Sequence, residues 1–200
     1  DRVGRDKARL IMHTEPRDPN GQDLIAILEN LNLTNGEIYL STNKLPAESL
    51  ALMYNMADVT VNISDAEGFG LATLESLSCG TPIIVTMTGG LQEQVTDGES
   101  WFGIGLEPTS KSIIGSQQVP YIYEDRLSQE LVVGALEEMF NKTAEERLQM
   151  GLAGRNHVLV NYGFESFCKS WVELMDNVVE NYGSWNERKN YKNWYFAEVA

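Results

Sequence analysis

Cysteine, histidine and basic side chains are scarce in this chain of 200 residues, which carries two cysteines, two histidines and 15 Lys and Arg against 29 Asp and Glu. Cys79 and Cys168 are too few for a disulfide framework and stand at no metal-ligand spacing, so both are expected as buried thiols. Without disulfides, and with no charged-then-apolar leader visible at Asp1, the cytoplasm is the expected compartment. Asn32, Asn62 and Asn141 each open an Asn-x-Ser/Thr triplet, which has no meaning without a secretory route. The formal net charge of −14 argues against a nucleic-acid partner, whose phosphates need Lys and Arg to neutralise them, and against anionic lipid for the same reason. No apolar run reaches the roughly 18 residues that a membrane-spanning helix needs, so no transmembrane segment is expected. Internal repeats and low-complexity tracts are lacking too. The length suits one ordinary domain.

What the chain does have is concentrated at 58–90. Val59, Thr60, Val61, Asn62 and Ile63 form a short β-branched run that reads as a strand, ended by the loop 64–70. A helix is expected over 71–79, with Gly80 in the left-handed position after its last turn and Pro82 preventing continuation. Residues 83–85 read as the next buried strand. Strand, glycine loop, helix and strand make a βαβ unit, and parallel sheets bind ligands outside the carboxyl ends of their strands.

Gly68 and Gly70 let a ligand approach the loop backbone, and the helix start behind them offers unpaired N–H groups with partial positive charge. That combination suits a phosphate. Glu67 stands just before the glycines and Glu75 about one turn into the helix. A carboxylate beside an anion needs a reason, and the hydroxyl groups of a sugar or ribose supply one, because a carboxylate accepts two charge-assisted hydrogen bonds at once. The chemistry implied is that of sugar, diphosphate and ribose.

These residues, together with Leu71, Cys79-Gly80-Thr81-Pro82 and Gly89-Gly90-Leu91-Gln92-Glu93, resemble the donor-binding half of retaining, metal-independent glycosyltransferases with two Rossmann-like domains, the GT-B type, and within it the large family 4. The resemblance covers 8–182 and is strongest at 58–95. It implies that Glu67 contacts the donor hexose and serves as the catalytic residue. It further implies that the amides of Phe69, Gly70 and Leu71 approach the diphosphate and that Glu75 binds ribose hydroxyls. Gly68, Gly89 and Gly90 join the donor site on the same grounds, a tight turn after a strand being the other explanation for the Gly89-Gly90 pair. No cofactor and no metal is implied; a nucleotide-diphosphate sugar is the donor substrate.

Along the rest of the chain, a buried strand is expected at 8–13 and further strands at 37–41 and 101–106. Helical apolar spacing falls at Leu24, Ile27, Leu28 and Leu31, and again at Leu50, Met53, Tyr54 and Ala57 after Pro46. Strands alternating with helices predict an α/β fold, a Rossmann-like parallel sheet with flanking helices and right-handed crossovers. Residues 107–124 show no period and read as a long connection, whose Pro120-Tyr121-Ile122-Tyr123 could line a pocket or simply pack on the surface. From Ser128 the chain turns helical. Val132, Ala135, Leu136 and Met139, then Leu148 and Leu152 behind a Thr143/Glu146 capping box, then Phe167, Trp171, Leu174, Met175 and Val178, are expected as core stripes. The domain is placed at 1–183, followed by an aromatic tail at 184–200 that suits docking on another domain or packing on its own.

The chain departs from the resembled family in two places. The Arg and Lys that follow the first strand of such a domain have no counterpart, because that strand is missing; Arg2 and Lys7 read as surface charges. The amino-terminal acceptor domain is missing as well, so a fragment inactive by itself is expected, with that domain and the nucleotide-sugar as its partners. His13, Asn43 and Lys44 occupy ligand-side positions, with structural roles as the simpler reading; His157, in a helical stretch, reads as structural. Three other readings stay open. A nicotinamide-type dinucleotide enzyme is weakened by Thr73 where close helix packing prefers Gly or Ala. A metal-dependent transferase would use Asp65 and Glu67. A non-catalytic nucleotide-sugar binding module would use the same loop.

Overall fold

The computed structural model describes residues 2–19 and 21–190; Asn20 of the first loop and the tail aromatics Tyr191, Trp194, Tyr195 and Phe196 lie outside the described residues. The chain opens as β1 (Leu10–His13), α1 (Leu24–Asn30), β2 (Ile38–Ser41) and α2 (Ala47–Met56). It continues as β3 (Thr60–Asn62), α3 (Leu71–Ser78), β4 (Ile83–Thr86), α4 (Leu91–Val95) and β5 (Gly103–Leu106). Then come β6 (Ser110–Ile114) and β7 (Ile122–Arg126), and finally α5 (Gln129–Asn141), α6 (Ala144–Asn161) and α7 (Phe164–Tyr182). This is the α/β fold with parallel strands and flanking helices that the alternation of elements predicts.

The parallel strands lie in two groups. Strands β3, β4 and β5 pair in that order, Thr60 opposite Ile83 and Ile83 opposite Gly103. Strands β1 and β2 pair with each other, Leu10 opposite Ile38. Among the described residues no ladder joins the groups, so β1 and β3 each keep one edge without a strand partner.

The core is built on β4, whose four residues are all buried. Side chains alternate across a strand. Ile83 and Val85 therefore face a cluster with Leu77 of α3, Leu91 and Val95 of α4, Phe102 and Val158 of α6. Ile84 faces the opposite cluster, with Leu106, Ala135 and Met139. Helix α6 approaches α3 through glycine: a Cβ at Gly151 would lie 1.9 Å from the Gly80 carbonyl oxygen, and one at Gly154 would lie 2.5 Å from Leu77 Cδ2.

Several local expectations hold. Thr143 and Glu146 form the capping box that starts α6. Asp23 and Ser128, for which no capping role was expected, cap α1 and α5 through their side chains. Gly80 sits at φ +81 after α3, where its amide donates to Leu77 O at 2.9 Å and the Thr81 amide to Ser76 O at 3.0 Å. The four strands read at 8–13, 37–41, 59–63 and 83–85 are all present, and 101–106 contains β5.

Others are corrected. Residues 107–124 are not a connection without structure: β6 and β7 form an antiparallel hairpin, Ser110 opposite Arg126 and Ile114 opposite Ile122. Leu148 and Leu152 are exposed, because the inward face of α6 consists of Gly151, Gly154 and Val158, which allow close helix approach. Leu136 is exposed, and of its stripe Ala135 and Met139 alone are buried. The α7 stripe is no core either. Trp171 is 50% exposed and Met175 59%, and no α7 residue is buried, since nothing described packs over that face. Cys168, on the same helix, is exposed rather than buried.

Candidate functional site

The loop that follows β3 is held in shape before any ligand arrives. Gly70 is the N-cap of α3 at φ +88, a conformation that disfavours any side chain, and a Cβ there would lie 2.4 Å from Leu91 Cδ2. Its carbonyl accepts from Thr73 Oγ1 at 2.9 Å and from Gln94 Nε2 at 3.1 Å. Gln94 also donates to Phe69 O at 2.6 Å, and the one Thr73 hydroxyl hydrogen is shared between Gly70 O and Gln94 Oε1, the latter at 2.7 Å. Gln94 and Thr73 are fully buried. Loss of such a network would strand buried carbonyls, so it fixes one loop conformation.

The carbonyls of Phe69 and Gly70 accept from Gln94, which leaves the amide side of the loop open. The first turn of α3 has no intrahelical acceptors for its N–H groups. Among the described residues the amides of Phe69, Gly70 and Leu71 make no hydrogen bond. Gly68 differs, since its amide donates to Glu67 Oε1 at 3.1 Å.

Gly89 and Gly90, which follow β4, lie directly against this loop. Gly90 N donates to Gly68 O at 3.0 Å. A Cβ at Gly89 would lie 1.8 Å from Glu67 O and one at Gly90 would lie 2.7 Å from Phe69 O. Both glycines are therefore required by the contact between the two loops, and the Gly90 amide is already engaged.

Glu67 is partly buried, and its Oε2 accepts from Asn62 Nδ2 at 3.3 Å. Asn62, the last residue of β3, also takes the Ser64 amide and hydroxyl on its Oδ1, at 3.1 and 2.7 Å. Glu75 is exposed, and its Oε2 accepts from the Tyr54 hydroxyl at 2.8 Å. Burial, then the Glu75 hydrogen bond and charge, push the Tyr54 phenol well above its ordinary range, so it is a neutral donor. Burial also raises the Cys79 thiol, which keeps it protonated next to the helix end.

Phe69 extends from the loop onto the ring of Tyr162, edge to face at 5.8 Å. Tyr162 meets His157 at 5.7 Å, and His157 stacks on Phe102 at 4.6 Å. His157 also holds Glu93 O through Nε2 at 2.9 Å, a structural post behind α4. His13 pairs with Ser41 across β1 and β2, Nδ1 to Oγ 2.9 Å. Arg2 is an exposed ion-pair partner of Glu137.

The hairpin reaches the same loop. Arg126 of β7 pairs with the carboxylate of Asp65 and, at 2.6 Å, with Glu124, while the Asp125 amide donates to Asp65 O at 2.7 Å. Asp65 and Glu124 raise the Arg126 guanidinium further above its usual value. The Asp65 carboxylate is thus committed to an arginine. Sequence reasoning missed Asn62, Gln94, Tyr54 and Arg126. Gln94 alone left a signal, a polar residue at helical spacing between the inward Leu91 and Val95.

Comparison with known proteins places this geometry. The family model "Glycosyl transferases group 1" matches residues 18–157. The chain is 35% identical over 99 residues to a D-inositol 3-phosphate glycosyltransferase from Acidothermus cellulolyticus, covering 48% of this chain and 22% of that protein. It is 26% identical over 125 residues to the N-acetyl-alpha-D-glucosaminyl L-malate synthase of Bacillus anthracis, covering 62% and 31%. Among solved structures it superposes on sucrose-phosphate synthase from Thermosynechococcus elongatus with a TM-score of 0.64 and 22% identity, covering 86% of this chain and 39% of that one. For the catalytic domain of starch synthase IV from Arabidopsis thaliana, bound to ADP and acarbose, the TM-score is 0.61 at 17% identity, covering 86% and 32%. The chain spans less than a third of these two curated relatives and less than two fifths of the two solved chains.

Proposed function

We propose, since the chain belongs to the glycosyl transferases group 1 family and shares the GT-B type of fold, that it is the nucleotide-sugar donor-binding domain of a retaining hexosyltransferase. The observation that carries this reading is the loop 67–71, where Gln94 turns the Phe69 and Gly70 carbonyls inward and leaves the amides of Phe69, Gly70 and Leu71 facing outward at a helix N-terminus. Those amides would hold the diphosphate. Glu75 would take the ribose hydroxyls, and Glu67, braced by Asn62, the hydroxyls of the hexose. Gly89 and Gly90 would serve the site by packing the β4 loop against the β3 loop.

In the reaction the bond from the sugar C1 to the diphosphate oxygen breaks, and the acceptor hydroxyl oxygen attacks C1 on the same face. Its proton passes to the departing diphosphate oxygen, and because the acceptor attacks from the face that the diphosphate leaves, configuration is retained. The negative charge that grows on the diphosphate is met by fixed N–H dipoles, which stabilise it without reorganisation. That supports a reaction independent of metal and cofactor, as does the commitment of Asp65 to Arg126, which competes with a cation at Asp65 and Glu67.

The remaining part of such a transferase would supply the acceptor site. On this reading the pairs β1-β2 and β3-β4-β5 would be parts of a doubly wound sheet in the order 3-2-1-4-5-6, the strand between them being the first of that order. The apolar face of α7 would be covered by the same missing part. On this reading residues 1–183 are the donor domain, 184–200 reach toward the acceptor domain, and the chain alone binds donor without turnover. Trp185, exposed and stacked under Arg188, is available for that contact. No helix among the described residues is long and apolar enough to cross a membrane.

The test separates the two glutamates by calorimetry with nucleoside diphosphates and their sugar conjugates. Glu75→Ala is expected to weaken both ligands by about tenfold or more, and Glu67→Ala to weaken the sugar conjugate alone, as the loss of charge-assisted bonds dictates. Binding unchanged by EDTA is expected for the wild type. Equal losses for both ligands in both variants, or binding that requires Mg²⁺, would overturn the assignment.

A further inference from the structure

Glu75 is an exposed carboxylate on a flexible three-bond stem, yet it is held in one place. Tyr54, in the last turn of α2, donates its hydroxyl to Glu75 Oε2 at 2.8 Å. The backbone of Tyr54 is tied to the segment just after α3, the helix that carries Glu75: its carbonyl accepts from Thr81 Oγ1 at 2.8 Å, and also from the α2 C-cap amide of Ala57 at 3.1 Å. Thr81 is buried and joined to α3, its amide donating to Ser76 O at 3.0 Å and its carbonyl accepting from Ser76 Oγ at 3.1 Å. Ser76 Oγ also lies 2.8 Å from Thr60 Oγ1 of β3, whose hydroxyl can donate to it. The phenol therefore springs from a frame that includes the strand and helix on either side of the ligand loop.

We propose that Tyr54 is a positioning residue for recognition of the ribose hydroxyls by Glu75, an inference that rests on the donor-site reading above. By occupying Oε2 from the protein side, Tyr54 aims Oε1 and the remaining lone pair outward and removes the rotamer freedom that Glu75 would otherwise lose on binding. The raised phenol pKa keeps the proton on Tyr54 throughout the working range, so the contact is always donor to carboxylate. Water could satisfy the half-exposed Tyr54 hydroxyl, so its bond to Glu75 is not needed to avoid an unpaired buried donor.

The experiment compares ribonucleoside diphosphates with their 2′,3′-dideoxy counterparts, using UDP, GDP and ADP on the full chain, for wild type, Tyr54→Phe and Glu75→Ala, with thermal melting to confirm the fold of each. The wild type is expected to prefer the ribonucleotide, and Glu75→Ala to abolish the preference. Tyr54→Phe should reduce it by about three- to tenfold, the cost of ordering one rotamer-rich side chain, and leave the dideoxy affinity unchanged. If Tyr54→Phe keeps the full preference, or weakens both ligands equally, while Glu75→Ala abolishes it, the inference fails and the site reading stands. If Glu75→Ala keeps the preference, or the wild type binds none of the three nucleotides, the site reading itself fails and the inference with it.

Discussion

Strands β1 and β4 are alike in sequence and opposite in circumstance. Leu10-Ile11-Met12-His13 and Ile83-Ile84-Val85-Thr86 both read as buried strands, yet Leu10 is 47% exposed and Ile83 is completely buried. The difference extends to whole regions: every buried residue among those described lies between Gly70 and Val158. Strand β4 has a ladder on both edges and helices on both faces. Strand β1 has one partner, and α1 beside it contributes no buried residue. Apolar sequence states what a strand can bury; its neighbours decide whether it does. The loop 67–71 sits on the buried half, where its neighbours fix its backbone, while the exposed half and α7 keep apolar side chains uncovered among the described residues.

The largest expected effect lies at the contact between the two glycine loops. Gly89→Ala puts a Cβ 1.8 Å from the Glu67 carbonyl oxygen at a backbone φ of +49. Overpacking and left-handed strain each cost about 1–3 kcal/mol, so a loss of about 3 kcal/mol or more in urea denaturation is expected. A cost below about 0.5 kcal/mol would show that the loops are not locked together.

A matched pair of truncations sharpens the regional comparison. Leu77→Ala in the buried half should cost about 2–5 kcal/mol. Trp171→Ala on α7 should stay within about 0.5 kcal/mol, as an exposed position does. Equal costs at the two sites, read from denaturation midpoints, would mean that α7 is covered in solution.

The site was legible where its determinants are local. Gly80 after α3, the Thr143/Glu146 capping box and the glycine loop itself are set by spacing of a few residues, and each is found where the sequence puts it. What escaped depends on partners far along the chain. Gln94 reaches back to Phe69, Tyr54 forward to Glu75 and Arg126 back to Asp65, and a linear reading cannot pair them. The hairpin was hidden because its strands are exposed and mix Lys111, Glu124 and Asp125 with Ile113 and Tyr123, leaving no clean alternation. The α6 core face escaped because it is made of glycines, which a search for large apolar residues ignores. The α7 stripe misled for the converse reason: its spacing is that of a buried face, and nothing among the described residues buries it.

Backbone hydrogen exchange with and without the best-binding nucleotide-sugar tests the central claim most directly, because it reads the loop amides themselves. The account predicts slowed exchange at Phe69, Gly70 and Leu71, with β1 and α1 unchanged. Protection confined to the hairpin 110–126, or to the segment 10–44, with those three amides unaffected, would contradict it.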